Sequence, residues 1–370
     1  MAKLRVGLLF GGRSVEHEVS IASATSVLQA LDPSRYDVTL IGVDHDGRWH
    51  LGSGGQLLAE VADAPAEVLL PARPGGATLV PSNEGEAGVS PASLELDVVL
   101  PLIHGKGGED GALQGLLELA GVPYVGSGVL SSAVQMDKDV AKRLLRDAGL
   151  PVTPWLTRRA HELTGEGLDT AIDESVQSLG WPVFVKPANS GSSVGIAPAS
   201  SRGELEAAIA DALRYDRKII IEKGLDAREI EVAVLGNDHP EASVPGEIRI
   251  GEGTGFYDYE SKYHDEETEL VIPADLDDAM TTKIRKLAVE AYRALDAEGL
   301  ARVDFILDRT TGELYVNELN SLPGFTDGSM YPKMWEAAGL SYPMLLDRLI
   351  ELAMERHHLR GQLETRVTRP

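Results

Sequence analysis

Residues 300–320 read LARVDFILDRTTGELYVNELN and gather charged groups of complementary kinds. Side chains alternate faces along a strand, so Arg302 and Asp304 share one face and Val303 and Phe305 the other; Glu318 and Asn320 likewise share a face. The connector Arg309–Gly312 is short and polar, as a hairpin requires. With its centre at Thr311, Arg302 falls opposite Asn320 and Asp304 opposite Glu318, which puts all four on one face of one ribbon. Two carboxylates and an amide oxygen suit Mg²⁺, a hard cation that shares its shell with phosphate oxygens. The guanidinium beside them suits a phosphate or a developing oxyanion. The solvated outer face of an antiparallel sheet has the same pattern, and periodicity alone leaves both readings open.

A second stretch, VFVKPANSGSSVG at 183–195, ends an apolar strand on Lys186 and continues into glycines and serines. Lys186 offers a point charge, and Gly191 and Gly195 let the backbone approach an anion, as in a loop that covers phosphate. An ordinary hairpin loop would look alike, and the Walker A order is missing. The FGGRS segment at 10–14 carries the same ambiguity. In a third stretch, the strand 218–222 runs into Glu222, Lys223, Gly224 and Leu225, with Glu229 beyond. Such an edge offers backbone and acidic groups to a purine and a ribose, although glutamates at strand ends are commonly just solvated.

These groups need elements to hold them. Leu4–Phe10 is an apolar run closed by Gly11 and Gly12, followed by a helical stretch over Val15–Leu31 and a strand over Asp37–Val43. Asp97–Ile103 is another buried run and ends in HGKGGEDG, ahead of a helix Ala112–Ala120 stopped by Gly121. Strand, glycine-rich loop and helix in repetition predict a parallel α/β sheet with functional loops at the strand carboxyl ends. Glu60–Ser93, rich in Ala, Pro, Gly and Glu, reads as a surface excursion with little regular structure. A single polar helix is predicted over Ser131–Ala148, and Ser201 with Glu204 forms a capping box for the helix that follows. Further strands are expected at Glu229–Leu235, Glu269–Pro273, Leu300–Asp308 and Glu313–Leu319, with long helices at Asp277–Glu298 and Tyr342–His357.

Composition narrows the function. The chain has 370 residues, 43% of them hydrophobic, enough for two or three domains with sizeable cores. Its formal charge of −24 repels phosphate backbones and anionic lipid, which argues against nucleic acid or membrane as partner. With no cysteine, disulfides, thiolate nucleophiles and Cys-ligated metal centres are excluded. The N-terminal apolar run is too short for a signal peptide and no stretch approaches the length of a membrane span, so a cytoplasmic location is expected.

In this order, the blocks GGRSVEHEVS (11–20), HGKGGEDGALQG (104–115), VGSGVLSSAVQMDK (125–138), VKPANSGSSVG (185–195), EKGLDAREIEVAVLG (222–236), FYDYESKY (256–263), ARVDFILD (301–308) and NELNSLPGF (317–325) span essentially the whole chain. Together they resemble the D-alanine–D-alanine ligases of the ATP-grasp superfamily. The resemblance implies an ATP-grasp fold of α/β and α+β character. A Rossmann-like N-terminal α/β domain (1–130) would precede a central subdomain (131–225) and a C-terminal catalytic domain (226–370). It implies ATP-dependent joining of two D-alanines through a D-alanyl phosphate, releasing ADP and phosphate, for peptidoglycan precursors. ATP is the implied co-substrate, with two Mg²⁺ or Mn²⁺ ions, and a homodimer is expected.

Residue by residue, the resemblance assigns Lys138 and Lys186 to the ATP phosphates and Lys262 to the γ-phosphate. Glu222, Lys223 and Leu225 would face adenine and Glu229 the ribose, while Asp304, Glu318 and Asn320 would hold the metal ions. Glu16, with His104 nearby, would receive the first D-alanine's ammonium, and Ser192 and Tyr263 would join Glu16 in a network closing the site. Ser329 and Met330 would meet the second D-alanine's carboxylate, and Arg302 with the Gly324 amide would form the oxyanion site. His104 also reads as a structural histidine, Tyr263 as a loop anchor and Ser329 as a helix N-cap. The glycine-rich segment Gly246–Glu267 is expected to act as a lid. Ligation to D-lactate and non-catalytic nucleotide binding are the rival readings; the block around Tyr263 argues against the first and the retained Arg302 against the second.

Overall fold

The computed structural model describes residues 2–51, 58, 61, 66–72, 78–81, 94–249 and 269–364. These build three sheets. In the first, Leu4–Gly11 lies between Tyr36–Val43 and Val98–Pro101, parallel to both. Gly11 and Gly12 have φ of 88° and 102° where the chain leaves the central strand. A Cβ on Gly11 would come within 2.2 Å of the Val43 carbonyl oxygen, and one on Gly12 within 2.7 Å of the Ile103 side chain. Only glycine lets this loop nest against the neighbouring strand ends. The helices His17–Ala30 and Ala112–Ala120 follow the two loops.

The sheet is not wholly parallel, which corrects the expectation. Beyond Tyr36–Val43, the strands Trp49–Leu51, Ala66–Leu69, Thr78–Pro81 and Leu94–Glu95 continue it antiparallel. The reversal begins at Asp44, whose Oδ1 accepts from the amides of Asp46 (2.9 Å) and Arg48 (2.8 Å) and closes a tight turn. The region expected to be irregular therefore supplies two paired strands of the sheet. They are only four residues long, too short for a periodic signal to rise above the Ala, Pro and Gly around them.

The second sheet runs in the order Ala197–Ala199, Val183–Pro187, Lys218–Lys223, Trp155–Arg159, all antiparallel. Helices Glu166–Leu179 and Arg202–Ala212 cover it, the latter capped by Ser201. The third sheet has Ala227–Gly236 and Gly299–Asp308 at its centre, Leu314–Asn320 on one side and Gly246–Arg249 with Glu269–Val271 on the other. Residues Gly246–Arg249 of the expected lid are thus a paired strand; 250–267 lie outside the described residues. Helix Asp278–Ala294 packs on one face of this sheet. The expected single helix 131–148 is two, Val129–Met136 and Lys138–Asp147, because Asp137 leaves helical geometry and accepts from the Val140 amide as an N-cap (3.1 Å). The break brings Lys138 to a helix start beside the second sheet, where its amide donates to the Ala188 carbonyl (2.8 Å).

The C-terminal helix Tyr342–Gly361 ties the ends of the chain together. Leu345, Leu346, Leu349 and Ile350 share one core with Val6, Leu8, Phe10 and Leu100 of the first sheet. Arg356, 5% exposed, donates to the carbonyls of Tyr124 (2.8 Å) and Gly126, with its guanidinium 4.3 Å from the Tyr124 ring centre. Removing the donors with Arg356→Met leaves two buried carbonyls short of partners. The expected loss is about 2–4 kcal/mol of unfolding free energy, read by denaturant titration. An unchanged midpoint would mean that apolar contact alone holds the helix.

Candidate active site

The ribbon of Gly299–Asp308 and Leu314–Asn320 pairs Arg302 with Asn320 and Asp304 with Glu318, as the sequence predicts, but for a different reason. The turn is not centred on Thr311: nearer to it, Phe305 pairs with Val316 and Leu307 with Leu314. Asn317 is an extra residue, a β-bulge that shifts the register by one. Strict alternation from Val316, which is fully buried in the core, would send Glu318 into the core as well. The bulge turns Glu318 and Asn320 to the opposite face and lets Leu319 take the core position.

On that face Arg302 donates to both oxygens of Asp304, at 2.7 and 2.8 Å, and its Nε lies 3.1 Å from Glu231. Asn320 Nδ2 donates to Asp304 at 2.8 Å. Burial acts to lower the Arg302 pKa, but Asp304, Glu231 and Glu318 overcome it and hold the guanidinium well above its ordinary value. Two carboxylates and an amide carbonyl on one face are a hard oxygen donor set, and they fit Mg²⁺ or Mn²⁺.

Next to the ribbon stands a row of lysines. Lys138 Nζ lies 3.2 Å from Glu318 and donates to the Ser190 carbonyl at 2.8 Å. Lys186 Nζ lies 2.5 Å from Glu222 and 3.5 Å from the Asn317 amide oxygen. Glu222 is 2% exposed, and its other oxygen pairs with Lys142. Its carboxylate therefore points at two ammoniums. Burial would push Glu222 up; Lys142 and Lys186 outweigh that and hold it below its ordinary value. Lys142 bears more of the burial and is pulled down, while Lys186 is held up despite its burial by Glu222, Glu318 and Glu229.

Two adjoining cavities meet at Arg302 and Glu318. The smaller, about 260 Å³, is lined by Lys186, Glu222, Lys223, Leu225, Glu229 and Asp304. The larger, about 900 Å³, brings together Glu16, His104, Lys138, Ser192, Asn320, Gly324, Ser329 and Met330. Lys262 and Tyr263 lie outside the described residues. His104 Nδ1 donates to the Leu322 carbonyl (3.0 Å), leaving its buried Nε2 without a partner among the described residues, and burial lowers its pKa. Ser329 does stand at the N-cap of helix Met330–Ala337, yet its hydroxyl caps nothing; it pairs with the Thr326 hydroxyl (2.8 Å) and accepts from the Thr326 amide (3.1 Å). A Cβ on Gly324 would come within 3.0 Å of the Ser329 oxygen. Ser192 and Ser193 take left-handed φ of 49° and 57°, a strain that non-glycine residues carry where the surroundings impose it.

Sequence reasoning passed over Glu109, Lys142, Glu231 and Asn317. Glu231 follows Glu229 by two residues in the same strand, and Lys142 follows Lys138 by one helical turn, so periodicity offered a signal for both. For Glu109 there was none. Its oxygens accept from the Gly105 amide (2.6 Å) and the Leu322 amide (3.1 Å), joining loops more than 200 positions apart in the chain.

Comparison with known proteins gives one result across the chain. The family models described as D-ala D-ala ligase N-terminus and C-terminus match residues 5–127 and 144–351. A D-alanine–D-alanine ligase of Shouchella clausii is 50% identical over 373 residues, covering 99% of each chain. D-alanine–D-alanine ligase A of Escherichia coli K12 is 47% identical, covering 99% of this chain and all of the other. Among solved structures, the D-alanine–D-alanine ligase of Coxiella burnetii superposes with a TM-score of 0.81 at 38% identity, over 98% of this chain and 97% of that one. The VanG D-Ala:D-Ser ligase of Enterococcus faecalis gives 0.83 at 34%, over 95% and 100%.

The electrostatics of Glu109 give a pH test. Burial, with the Glu16 charge beside it, pushes its carboxyl up to about 8 from an ordinary 4.5. Between those values the folded chain holds a proton that the unfolded chain has lost, so stability falls as pH rises. One such group contributes a slope of about 1.4 kcal/mol per pH unit. Glu109→Gln, which mimics the protonated carboxyl, should flatten the stability profile of the ligand-free enzyme between about pH 5 and 8. Denaturant titrations across that range read it; parallel profiles for the two proteins would refute a protonated Glu109.

Proposed function

The chain belongs to the D-alanine–D-alanine ligase family, and from that premise we propose how its own residues divide the work. It is an ATP-grasp enzyme that uses ATP to join two molecules of D-alanine, a step of cell-wall synthesis. The proposal concerns the site. Its main support is that the two cavities meet at Arg302 and Glu318, where a nucleotide's terminal phosphate and an amino-acid carboxylate could touch.

ATP occupies the smaller cavity. Lys223 and Leu225 frame adenine, Glu229 takes the ribose, and Lys186 and Lys262 take the phosphates together with Lys138, which reaches them from the larger cavity. The support for Glu222 is of another kind: its carboxylate faces Lys142 and Lys186, so its contribution at adenine is through the backbone, while its side chain positions Lys186. Asp304, Glu318 and Asn320 hold Mg²⁺ or Mn²⁺, which would offset the charge of the triphosphate as it meets a carboxylate.

The first D-alanine lies in the larger cavity, its ammonium on Glu16 with His104 alongside. A carboxylate is a poor electrophile, so its oxygen first takes the terminal phosphoryl group of ATP. Arg302 faces both anions and holds their geometry. The second D-alanine, its carboxylate on Ser329 and the Met330 amide, presents an amine to the acyl phosphate. Charge then builds on the carbonyl oxygen, where Arg302 and the Gly324 amide stabilise it. Phosphate departs and the D,D-dipeptide remains. An acyl phosphate hydrolyses readily, so Glu16, Ser192 and Tyr263 act as the closure that excludes water. The reading keeps three domains, 1–130, 131–225 and 226–370, with helix Lys138–Asp147 packing on the third sheet. Among the described residues no helix is long and apolar enough to cross a membrane. A cytoplasmic homodimer completes the reading.

The test is ADP release that depends on D-alanine, with the product identified by mass spectrometry in mixtures of D-alanine, D-serine and D-lactate. D-alanyl-D-alanine alone is expected at neutral pH; predominance of a mixed product would overturn the second-subsite assignment. Asp304→Asn and Glu318→Gln should each lower turnover about 100-fold or more with an unchanged unfolding midpoint. Near wild-type rates at saturating Mg²⁺ would remove the ribbon from the metal's role.

A further inference from the structure

Apart from the groups assigned to catalysis, His17, Glu18 and His45 bring two imidazoles and a carboxylate together, with ligand atoms all within 4.8 Å of one another. They come from two fixed elements. His17 opens the helix His17–Ala30, one residue after Glu16. His45 sits in the turn after strand Tyr36–Val43, where buried Asp44 accepts from two backbone amides and from His50 Nε2 (2.9 Å). The Gly12 amide donates to the Val43 carbonyl (2.8 Å) and fastens one element to the other.

His17 itself carries the sign of a ligand. It is 5% exposed, and its Nδ1 donates to the Gly12 carbonyl at 2.8 Å. That bond leaves the lone pair on Nε2, which has no hydrogen-bond partner among the described residues. A backbone carbonyl that orients one ring nitrogen while the other binds is the usual support of a metal-ligating histidine. The His17 and His45 rings stack at 4.0 Å between centroids, 27° from parallel, so their in-plane lone pairs run side by side, and the exposed His45 ring must turn for both nitrogens to reach one ion. Glu18 and His45 are exposed and free to adjust, and the chain's net charge of −24 favours a cation.

We propose that His17, Glu18 and His45 form a second metal site, for a divalent ion that prefers imidazole, Zn²⁺ above all. Two nitrogens and one carboxylate oxygen leave a fourth tetrahedral position to water. This donor set differs from the all-oxygen ribbon of Asp304, Glu318 and Asn320, which suits Mg²⁺. The bound ion clamps the helix start to the neighbouring turn. Because Glu16 and Glu18 both line the larger cavity, the clamp also steadies the segment that carries Glu16. None of the three ligands has a role in the catalysis proposed above.

The experiment is equilibrium dialysis of the full chain, stripped with chelator and then held in excess Mg²⁺ to occupy hard oxygen sites, against Zn²⁺. The expected result is one Zn²⁺ per chain. Affinity should fall at least about tenfold in His45→Ala and in Glu18→Gln, no less than an outer-shell partner carries. Co²⁺ in place of Zn²⁺ should give the visible absorption of a tetrahedral nitrogen-containing site in wild type and lose it in His45→Ala. D-alanine-dependent ADP release by zinc-free His45→Ala should equal that of zinc-free wild type, which shows an intact fold and a separate site. Absence of tight Zn²⁺ binding, or equal binding by wild type and both variants, would overturn the proposal. Binding is read without turnover, so a failed ligase assay and a failed metal site give different results.

Discussion

One extra residue decides which face of the C-terminal sheet carries the chemistry. Without the bulge at Asn317, alternation from Val316 would drive the Glu318 carboxylate into the apolar core, beside Phe305 and Val303. Burying an unpaired carboxylate there costs more than a domain can spare. With the bulge, Leu319 fills the core and Glu318 and Asn320 join Arg302 and Asp304. The bulge residue is not idle, because its side-chain amide lies beside Lys186. The ribbon, the lysine row and the meeting of the two cavities all depend on this register shift.

The charges gathered there are held by mutual compensation. Arg302 lies between Asp304 and Glu231, and Glu222 between Lys142 and Lys186. Burial alone disfavours the charged form of each, pushing Glu222 up and Lys142, Lys186 and Arg302 down. Paired, they stay ionised and fixed in position before any ligand arrives, the condition for electrostatic stabilisation of a developing charge. Within an acidic protein, Lys138, Lys186 and Arg302 are thus kept in the cleft as cations held by neighbouring carboxylates. Ligand phosphates entering beside Lys186 and Lys138 would meet ammoniums already oriented by Glu222 and Glu318.

The larger cavity is built from distant parts of the chain. Its floor joins the first sheet's loops to the SLPGF segment through Glu109, which accepts from one amide on each side. Beneath it, helix Tyr342–Gly361 packs into the core of the first sheet. Motion between the sheets would alter the spacing of Glu16 and His104 from Arg302 and Ser329. The shared core and the buried Arg356 bonds oppose that motion.

The sequence by itself determined what is local. Alternation fixed which neighbours of Arg302 share its face, glycines marked the strand-to-helix loops, and the ordered blocks identified the family. Short strands within 60–93 were illegible because four residues hold too little period. The break at Asp137 was illegible because a single capping side chain makes it. Only the tertiary structure decided the rest. The pairing of Asp304 with Glu318 came out right from a turn centre that was wrong, since the bulge restored the register, and nothing local to Asn317 announces a bulge. Glu109, Glu231 and Lys142 act through partners on other strands and loops. A side chain's charge state and aim depend on what packs against it from far along the chain, and that information exists only once the chain has folded.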